Sequence, residues 1–326
     1  MGADNQNPTG ERIMSKESKM ERKATVKDIF IALRLPFVSA SALPALIAVA
    51  WGWGFGHADT FNPLFAFLAV LGVIFLHLGT NTWNDYFDWD KSDRVNRFPT
   101  PFSGGSRSEV EGILSRKHFL FFSIVLYAIA LLIGLFLIFN GRPYILLLGC
   151  IGFLGGALYS SAPASLMNRG LGEIDIFFMF GPLITLGTGY AIEGVMTLDY
   201  FLIGVPMGFI VTNILWINQF PDYEADASVG KRNLVVRLGT GPSRYGYLLI
   251  MVCFYLSVIL LWITDLYPAW ALLTLITLPL MVKALKVAWV HYNDPRKIIS
   301  AQAGTIQIQT LGGAILVISM LLKRLF

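Results

Sequence analysis

Long apolar runs recur along this chain, and the charged residues lie almost entirely in the segments between them. A helix that crosses the roughly 30 Å hydrocarbon core of a bilayer needs about 20 apolar residues. Runs close to this length predict nine spans, at residues 37–56, 62–83, 119–139, 144–163, 173–193, 199–219, 246–264, 267–287 and 304–322. The pattern therefore predicts an all-α polytopic membrane protein, a bundle of nine transmembrane helices within a lipid bilayer.

The composition narrows the class further. Hydrophobic residues make up 55% of the 326 positions and charged residues only 14%, whereas roughly 25% of the residues of a soluble domain are charged. These values exclude a soluble enzyme, a disordered chain and a nucleic-acid-binding protein, although the net charge is +4. Residues 1–25 are polar and are predicted to form a disordered tail, followed by one transmembrane domain over residues 26–326.

The distribution of Lys and Arg predicts the orientation. Nine spans place the termini on opposite sides of the membrane, and cytoplasmic segments carry an excess of basic residues. With the N-terminus inside, 22 of the 25 Lys and Arg residues fall in inner segments, and the others are Arg142, Lys323 and Arg324. We therefore expect a cytoplasmic N-terminus in a plasma-membrane protein. The two long inner loops, 84–118 and 220–245, place any chemistry on the cytoplasmic face.

A first group of polar residues closes the second predicted span. Asn81, Asn84, Asp85 and Asp88 are spaced by three or four residues and share one helix face, with His77 one turn earlier. Two carboxylates this close repel each other near a membrane, so the arrangement favours a cation between them. Mg²⁺ prefers carboxylate oxygens and bridges to phosphate. A solvated, acidic helix end is the simpler alternative for one such motif.

A second group closes the sixth span. Asp222 and Asp226 again share one face, Asn218 lies one turn earlier, and Pro221 suits the first turn of a new short helix. We therefore expect the sixth span to end before Pro221 and the two carboxylates to lie on a separate short helix.

A turn at Gly230 follows this second group and would direct Lys231 and Arg232 back toward its carboxylates. Two acidic motifs at the inner ends of two spans make a chance origin much less plausible than for one. The implied arrangement is two Mg²⁺ sites that face each other across the bundle and hold a diphosphate between them.

The first long loop contains the segment 103–107, Ser-Gly-Gly-Ser-Arg. Its glycines would let backbone N–H groups approach phosphate oxygens, and Arg107 could bind them with two hydrogen bonds. A plain flexible loop remains the alternative for this segment.

These motifs resemble those of the UbiA superfamily of intramembrane aromatic prenyltransferases. The first resembles its Asn-Asp-x-x-Asp signature at Asn84, Asp85 and Asp88. The second is similar to its Asp-x-x-x-Asp signature, at Asp222 and Asp226, with a following Gly-Lys. The resemblance extends over roughly residues 30 to 320 and includes the nine-helix count.

Further segments look most like the 1,4-dihydroxy-2-naphthoate polyprenyltransferases of menaquinone biosynthesis. They are Tyr-Ser-Ser-Ala-Pro at 159–163, Arg-Gly-Leu-Gly-Glu at 169–173, Phe-Gly-Pro-Leu at 180–183, Gly-Thr at 187–188 and Leu-Val-Val-Arg-Leu-Gly at 234–239. The chain also departs from the pattern. The third acid of the first motif is displaced, which leaves Asp90 or Asp93 as candidates, and Pro221 and Asn233 replace the Arg and Thr of many relatives.

The resemblance implies an enzyme that transfers a polyprenyl group from an allylic polyprenyl diphosphate to an aromatic acceptor. In this scheme two Mg²⁺ ions on Asp85, Asp88, Asp222 and Asp226 bind the diphosphate, and Lys231, Arg107 and Arg232 neutralise the charge that develops as it leaves. We further expect the neighbouring amides to contact substrate, namely Asn81, Asn84 and Asn218.

Two residues have implied roles that compete with simpler ones. The ring of Tyr159 could stabilise the allylic cation, or it could anchor a helix end at the membrane interface. Arg169 could pair with the carboxylate that the naphthoate ring loses, or serve only topology or capping.

The implied product is demethylmenaquinol, formed with loss of diphosphate and CO₂. Alternative acceptors within the superfamily are 4-hydroxybenzoate and geranylgeranylglycerol phosphate. A cation-coupled transporter and a membrane phosphotransferase for lipid head groups are the alternatives outside it. Transporters place their coupling residues near the midplane, whereas the acids here lie at the inner ends of spans.

Overall fold

The computed structural model describes residues 25–55, 60–88, 91–108 and 111–325. These ranges contain helices and no β-strand. The predicted tail apart from Thr25 lies outside them, as does Asp90. The nine longest apolar helical segments are labelled in chain order: α1 (Leu35–Phe55), α2 (Pro63–Asp88), α3 (Arg116–Phe139), α4 (Ile145–Ser160), α5 (Gly172–Glu193), α6 (Leu198–Ser228), α7 (Thr240–Ile263), α8 (Ala269–His291) and α9 (Ile299–Lys323).

Within the described residues, eight of these segments are long and apolar enough to cross a membrane, and the all-α membrane class is confirmed. The predicted span 144–163 differs, because α4 has 16 residues. At 1.5 Å per residue such a helix is about 24 Å long, which is shorter than a bilayer core. It ends at Ser160 because the restricted backbone before Pro163 and the proline's missing N–H oppose further helix.

The helices form a closed bundle. The first helix, α1, packs against the last, α9, while α6 packs against α7 and α9 near the centre. Helix α6 is the most deeply buried of the spans, and residues such as Ile217 and Phe254 lie fully inside the core around it. Helix α3 packs mainly on α2 and exposes apolar side chains, among them Leu131 and Leu132. A surface of this kind is suited to contact with lipid.

The prediction that Pro221 begins a new helix is wrong. Helix α6 runs without a break from Val205 to Ser228 and contains the buried Pro221. Proline is tolerated inside membrane helices because neighbouring groups satisfy the backbone acceptor that it leaves free. The carboxylates of the second motif therefore lie on the last turns of α6 itself, just as those of the first motif lie on the last turns of α2.

Candidate active site

The two acidic motifs meet at the same end of the bundle. Lys231 joins them, since its Nζ lies 3.1 Å from Asp88 Oδ2 on α2 and 3.5 Å from Asp226 Oδ1 on α6. The turn at Gly230, where φ is 78°, directs Lys231 back toward the helix ends. All three charged side chains are at least nine-tenths buried. Three helices, α3, α4 and α5, lie between the two motif helices in the sequence, yet the motifs form one polar cluster.

The charge of Lys231 is maintained by its surroundings. Burial disfavours the ammonium form, but the nearby carboxylates of Asp88, Asp226 and Asp93 outweigh burial and raise the pKa of Lys231 above its ordinary value. The surrounding carboxylates therefore favour the ammonium form of Lys231 within the cluster.

Arg34 provides a second cation that sequence analysis missed. It precedes α1, adopts a left-handed backbone conformation at φ 52°, and forms an ion pair with Asp85 Oδ1. Burial opposes its charge, but Asp85, Asp93 and Asp88 together raise the pKa of Arg34. In the sequence Arg34 was only one of many basic residues on the inner side, and its position directly before the first span was the available signal.

The loop after α2 covers the end of α6. Asn96 Nδ2 donates to Asp222 Oδ1 at 2.8 Å, and Ser103 Oγ donates to the same oxygen at 3.0 Å. Asn218 Nδ2 in turn donates to the carbonyl of Phe102 at 2.9 Å. The loop therefore holds Asp222 in place through one amide donor and one hydroxyl donor. Neither Asn96 nor this role of Ser103 was predicted.

Of the two candidates for the third acid of the first motif, Asp93 is the one that lies within the described residues. A Cβ atom on Gly105 would lie only 1.9 Å from Asp93 Oδ2, so the glycine permits this approach. Arg107 donates from Nη1 to the main-chain carbonyl of Asp93 at 3.2 Å. Burial, together with the charges of Asp85 and Asp88, raises the pKa of Asp93 to about 7. The rise in this pKa comes first from burial and then from repulsion by the two neighbouring carboxylates.

Two further residues organise the second motif. Asn233 Nδ2 donates to Asp226 Oδ2 at 2.9 Å while its Oδ1 accepts from the Val236 N–H. The buried Glu173 accepts from Gln219 Nε2 at 2.9 Å and from the Leu234 N–H at 3.0 Å. Glu173 therefore connects α5, α6 and the segment after Lys231. Its role was not predicted, since it was seen only as part of a sequence motif.

The remaining candidate residues divide into two groups. Asn84 Nδ2 donates to Ser160 Oγ at 2.5 Å and to Asp88 Oδ2 at 3.3 Å, and Asn81 lies on the same face of α2. In contrast, the exposed Arg169 donates to the Pro163 carbonyl at 2.7 Å.

Arg232 was expected beside the carboxylates, but it is exposed. The turn after Gly230 directs Lys231 but not Arg232 into the cluster. Exposure to solvent lets the guanidinium groups of Arg169 and Arg232 keep their hydration, which a buried site would remove.

The cluster has the donor set that a divalent cation prefers. Oδ2 of Asp85 and Oδ1 of Asp88 are buried and have no hydrogen-bond partner among the described residues. No three acidic, His or Cys side chains in the described ranges converge on one metal position. Mg²⁺ is commonly held by one or two carboxylates, with phosphate oxygens and water completing its shell. The residues therefore fit ions that a phosphate ligand would share, and not a cage made of protein alone.

An apolar cavity of about 790 Å³ extends from this cluster into the bundle. Arg34, Asn84 and Tyr159 line it near the charged end, and residues such as Leu137 and Ile145 line it farther away. Its volume is in the usual range of ligand pockets. The site therefore combines a charged, phosphate-compatible end with a long apolar chamber.

Comparison with known proteins agrees with this arrangement. A model of the UbiA prenyltransferase family matches residues 45–305. The 1,4-dihydroxy-2-naphthoate octaprenyltransferase of Bacillus subtilis (strain 168) is 25% identical over 287 residues, covering 88% of this chain and 89% of that protein. The enzyme of the same name from Escherichia coli (strain K12) is 27% identical over 245 residues, covering 73% of this chain and 77% of that protein.

Solved structures share the fold. A UbiA homolog from Aeropyrum pernix K1 has a TM-score of 0.67 at 17% identity, with 86% of this chain and 97% of that chain covered. A UbiA homolog from Archaeoglobus fulgidus, bound to DMAPP and Mg²⁺, has a TM-score of 0.57 at 17% identity, with 89% and 99% covered. The resemblance seen in the motifs is confirmed. The acidic residues are therefore explained by an enzyme and not by a transporter. Because the family model covers most of the chain, this protein belongs to the UbiA prenyltransferase family and is a membrane prenyltransferase.

Proposed function

We propose that the protein transfers a polyprenyl group from an allylic polyprenyl diphosphate to 1,4-dihydroxy-2-naphthoate, with release of diphosphate and CO₂, to give demethylmenaquinol. The observation that carries the donor half is the bridge from Lys231 to Asp88 and Asp226, beside Asn84 on the wall of the apolar cavity. The acceptor half is supported by the naphthoate prenyltransferases that match most of the chain.

In this proposal the polar cluster binds the diphosphate. Asp85, Asp88, Asp222 and Asp226 would hold Mg²⁺, which supplies Lewis-acid stabilisation of the departing diphosphate oxygens. Divalent metal use is supported by the Archaeoglobus fulgidus homolog that binds DMAPP and Mg²⁺. Lys231 and Arg34 are buried cations fixed by ion pairs, and such groups stabilise developing negative charge without reorganisation.

The cavity accounts for the other half of the donor. A polyprenyl chain has no hydrogen-bonding groups and gains stability only through burial of its apolar surface. The chamber between α2, α3, α4 and α5 provides that surface directly beside the charged cluster. Tyr159 lines the chamber near its charged end, where its ring face is suited to stabilise a cation-like allylic fragment.

Five predicted residues have different roles in the proposal. Asn84 is fixed by Ser160 and Asp88 and orients the first motif. Asn218 binds the loop carbonyl of Phe102, and Arg107 binds the Asp93 carbonyl, so both act on the shape of the loop. We propose no direct substrate contact for Arg169 or Arg232, because both side chains are exposed.

We also propose that the cluster faces the cytoplasm of a plasma membrane. The excess of Lys and Arg in the segments on the side of the cluster supports this orientation. Single cysteines at Arg232 and at Asn140, labelled from outside intact cells with an impermeant maleimide, test it. We expect labelling at position 140 and none at position 232. The reverse pattern would contradict the orientation.

The reaction itself is tested with purified protein in lipid nanodiscs, Mg²⁺ and a polyprenyl diphosphate. The acceptors compared are 1,4-dihydroxy-2-naphthoate, 4-hydroxybenzoate and geranylgeranylglycerol phosphate, with products identified by mass spectrometry. We expect a prenylated, decarboxylated naphthoquinol, and we expect Asp85→Asn and Asp222→Asn to abolish it. Asp199→Asn, which changes a carboxylate outside the cavity, is the matched control. Turnover of another acceptor alone would contradict the naphthoate assignment.

A further inference from the structure

The apolar cavity contains a carboxylate that the diphosphate chemistry does not use. Asp175 lies on α5, a span that carries neither acidic motif, and it lines the chamber. It is the one acidic residue among the described residues that line the cavity. Arg34, which also lines the cavity, is already paired with Asp85. Asp175 has no hydrogen-bond or ion-pair partner within the described ranges. Its carboxylate therefore faces the chamber without a protein donor.

Two polar side chains on the cavity wall differ from Asp175 in this respect, whereas Asn81 Nδ2 and Thr188 Oγ1 also lack a partner among the described residues. Tyr127 donates its hydroxyl to Thr80 Oγ1 at 3.2 Å, and His77 Nδ1 lies 2.8 Å from Ser41 Oγ. These groups have protein partners, as expected of polar groups inside an apolar region. An unpaired carboxylate in such surroundings is costly. A hydrogen-bond donor on a bound ligand would offset this cost.

Local packing keeps this carboxylate in the chamber and near its charged end. A Cβ atom on Gly155 of α4 would lie 3.1 Å from Asp175 Oδ1, so the glycine leaves the space that the carboxylate occupies. Tyr159 is one turn farther along α4, and its ring lies 3.1 Å from a Cβ placed on Gly172, one turn before Asp175 on α5. Tyr159 therefore lies near the charged end, next to Ser160, and Asp175 lies beside Gly155, about one turn of α4 deeper in the chamber.

The chemistry of the substrates identifies the partner. The polyprenyl chain has no hydrogen-bond donor, and a diphosphate would be repelled by a carboxylate. A ring hydroxyl of an aromatic acceptor is a donor of the right type. The acceptor's own carboxylate would be turned away from Asp175 by like-charge repulsion, which leaves the hydroxyl as the group that approaches it.

We propose that Asp175 accepts a hydrogen bond from a ring hydroxyl of the aromatic acceptor and thereby orients the ring in the cavity, about one turn of α4 deeper than Tyr159. This inference rests on the proposed function. It assigns to Asp175 a part in acceptor binding and specificity, and none in binding the polyprenyl diphosphate.

The test compares wild type, Asp175→Leu, Asp175→Asn and the control Asp199→Asn. Steady-state kinetics give KM for each substrate, and competition gives inhibition constants for 1-hydroxy-2-naphthoate and 4-hydroxy-2-naphthoate, which each lack one hydroxyl. A hydrogen bond to a charged group contributes enough that we expect Asp175→Leu to raise KM for the dihydroxynaphthoate roughly 10- to 100-fold. KM for the polyprenyl diphosphate should remain within about twofold, a split that a general loss of structure would not produce.

The two analogues provide the sharper readout. In wild type, the analogue that lacks the contacted hydroxyl should bind roughly 10-fold more weakly than the other. In Asp175→Leu this difference should disappear, as a double-mutant cycle requires for a direct interaction. Asp175→Asn keeps the shape and a neutral acceptor, so an intermediate effect is expected, and it replaces the Leu variant if that variant does not fold.

The outcomes separate the two proposals. Wild type that does not prenylate the naphthoate at all contradicts the proposed function. Wild type that does so, while Asp175→Leu or Asp175→Asn retains both the acceptor KM and the discrimination between the analogues, overturns the inference about Asp175.

Discussion

The Nζ of Lys231 lies 3.1 Å from Asp88 Oδ2, although 143 positions separate the two residues along the chain. The same ammonium lies 3.5 Å from Asp226 Oδ1. One buried cation therefore links the ends of α2 and α6, and the two acidic motifs lie in one polar cluster.

Removal of this cation should affect both stability and catalysis. Lys231→Met leaves the carboxylates of Asp88 and Asp226 buried without their partner, which typically costs about 3–5 kcal/mol. We expect a clear drop in the thermal unfolding midpoint in detergent and a fall in kcat/KM of roughly 100-fold or more. Lys297→Met is the control, because its ion pair with Asp294 is exposed. Equal effects of the two substitutions would contradict the bridging role.

Arg34 and Asp85 should behave as a coupled pair. Arg34→Gln alone leaves Asp85 unpaired in a buried position, whereas Asp85→Asn alone leaves Arg34 without its main partner. Residues in direct contact show coupling free energies of about 0.5–3 kcal/mol in double-mutant cycles. We expect coupling in this range for the free energy of unfolding of the single and double variants. Additive effects would show that the ion pair contributes nothing.

The approach of Asp93 to Gly105 gives a prediction with a close internal control. Gly105→Ala would place a methyl group 1.9 Å from Asp93 Oδ2 at a residue with φ 74°. Gly112 has nearly the same φ, 72°, but nothing lies within 4 Å of a Cβ placed there. Both substitutions introduce backbone strain of about 1 kcal/mol, yet only Gly105→Ala should displace Asp93 and lower kcat/KM. Activity assays of the two variants in parallel test this, and equal activities would contradict it.

Glu173 should position the segment that follows Lys231. Glu173→Ala removes the acceptor of Gln219 Nε2 and of the Leu234 N–H, so the segment loses two hydrogen bonds. We expect faster hydrogen exchange at Leu234 and a KM for the polyprenyl diphosphate that is raised roughly 10-fold. Glu173→Gln keeps an acceptor oxygen and should restore most of both. If the Gln variant were as impaired as the Ala variant, the negative charge of Glu173 and not its hydrogen bonds would be responsible.

The helices were predictable from the sequence because membrane spans are local features. Each apolar run needs about 20 residues whatever it packs against, and eight predicted runs correspond to full-length helices. The errors arose where tertiary surroundings override local preference. Pro221 predicts a helix start in isolation, but it is accommodated inside α6. Helix α4 is shorter than its apolar run because Pro163 follows.

The site was predictable only in part. Asp85, Asp88, Asp222, Asp226 and Lys231 share helix faces or turns that local spacing reveals, and the structure brings them together. The partners from elsewhere in the chain could not be found in this way, because Arg34, Asn96 and Glu173 reach the cluster only through packing. Spacing also grouped Arg232 with Lys231, although adjacent residues after a turn point in different directions and Arg232 is exposed.

The central claim is that the two motifs form one diphosphate site. Calorimetric titration of inorganic diphosphate in the presence of Mg²⁺ tests it without an acceptor, on wild type, Asp88→Asn, Asp226→Asn and the control Asp199→Asn. We predict that each motif variant alone weakens binding at least roughly 10-fold, and that the control binds as wild type does. Wild-type affinity in either Asp88→Asn or Asp226→Asn would contradict the single site.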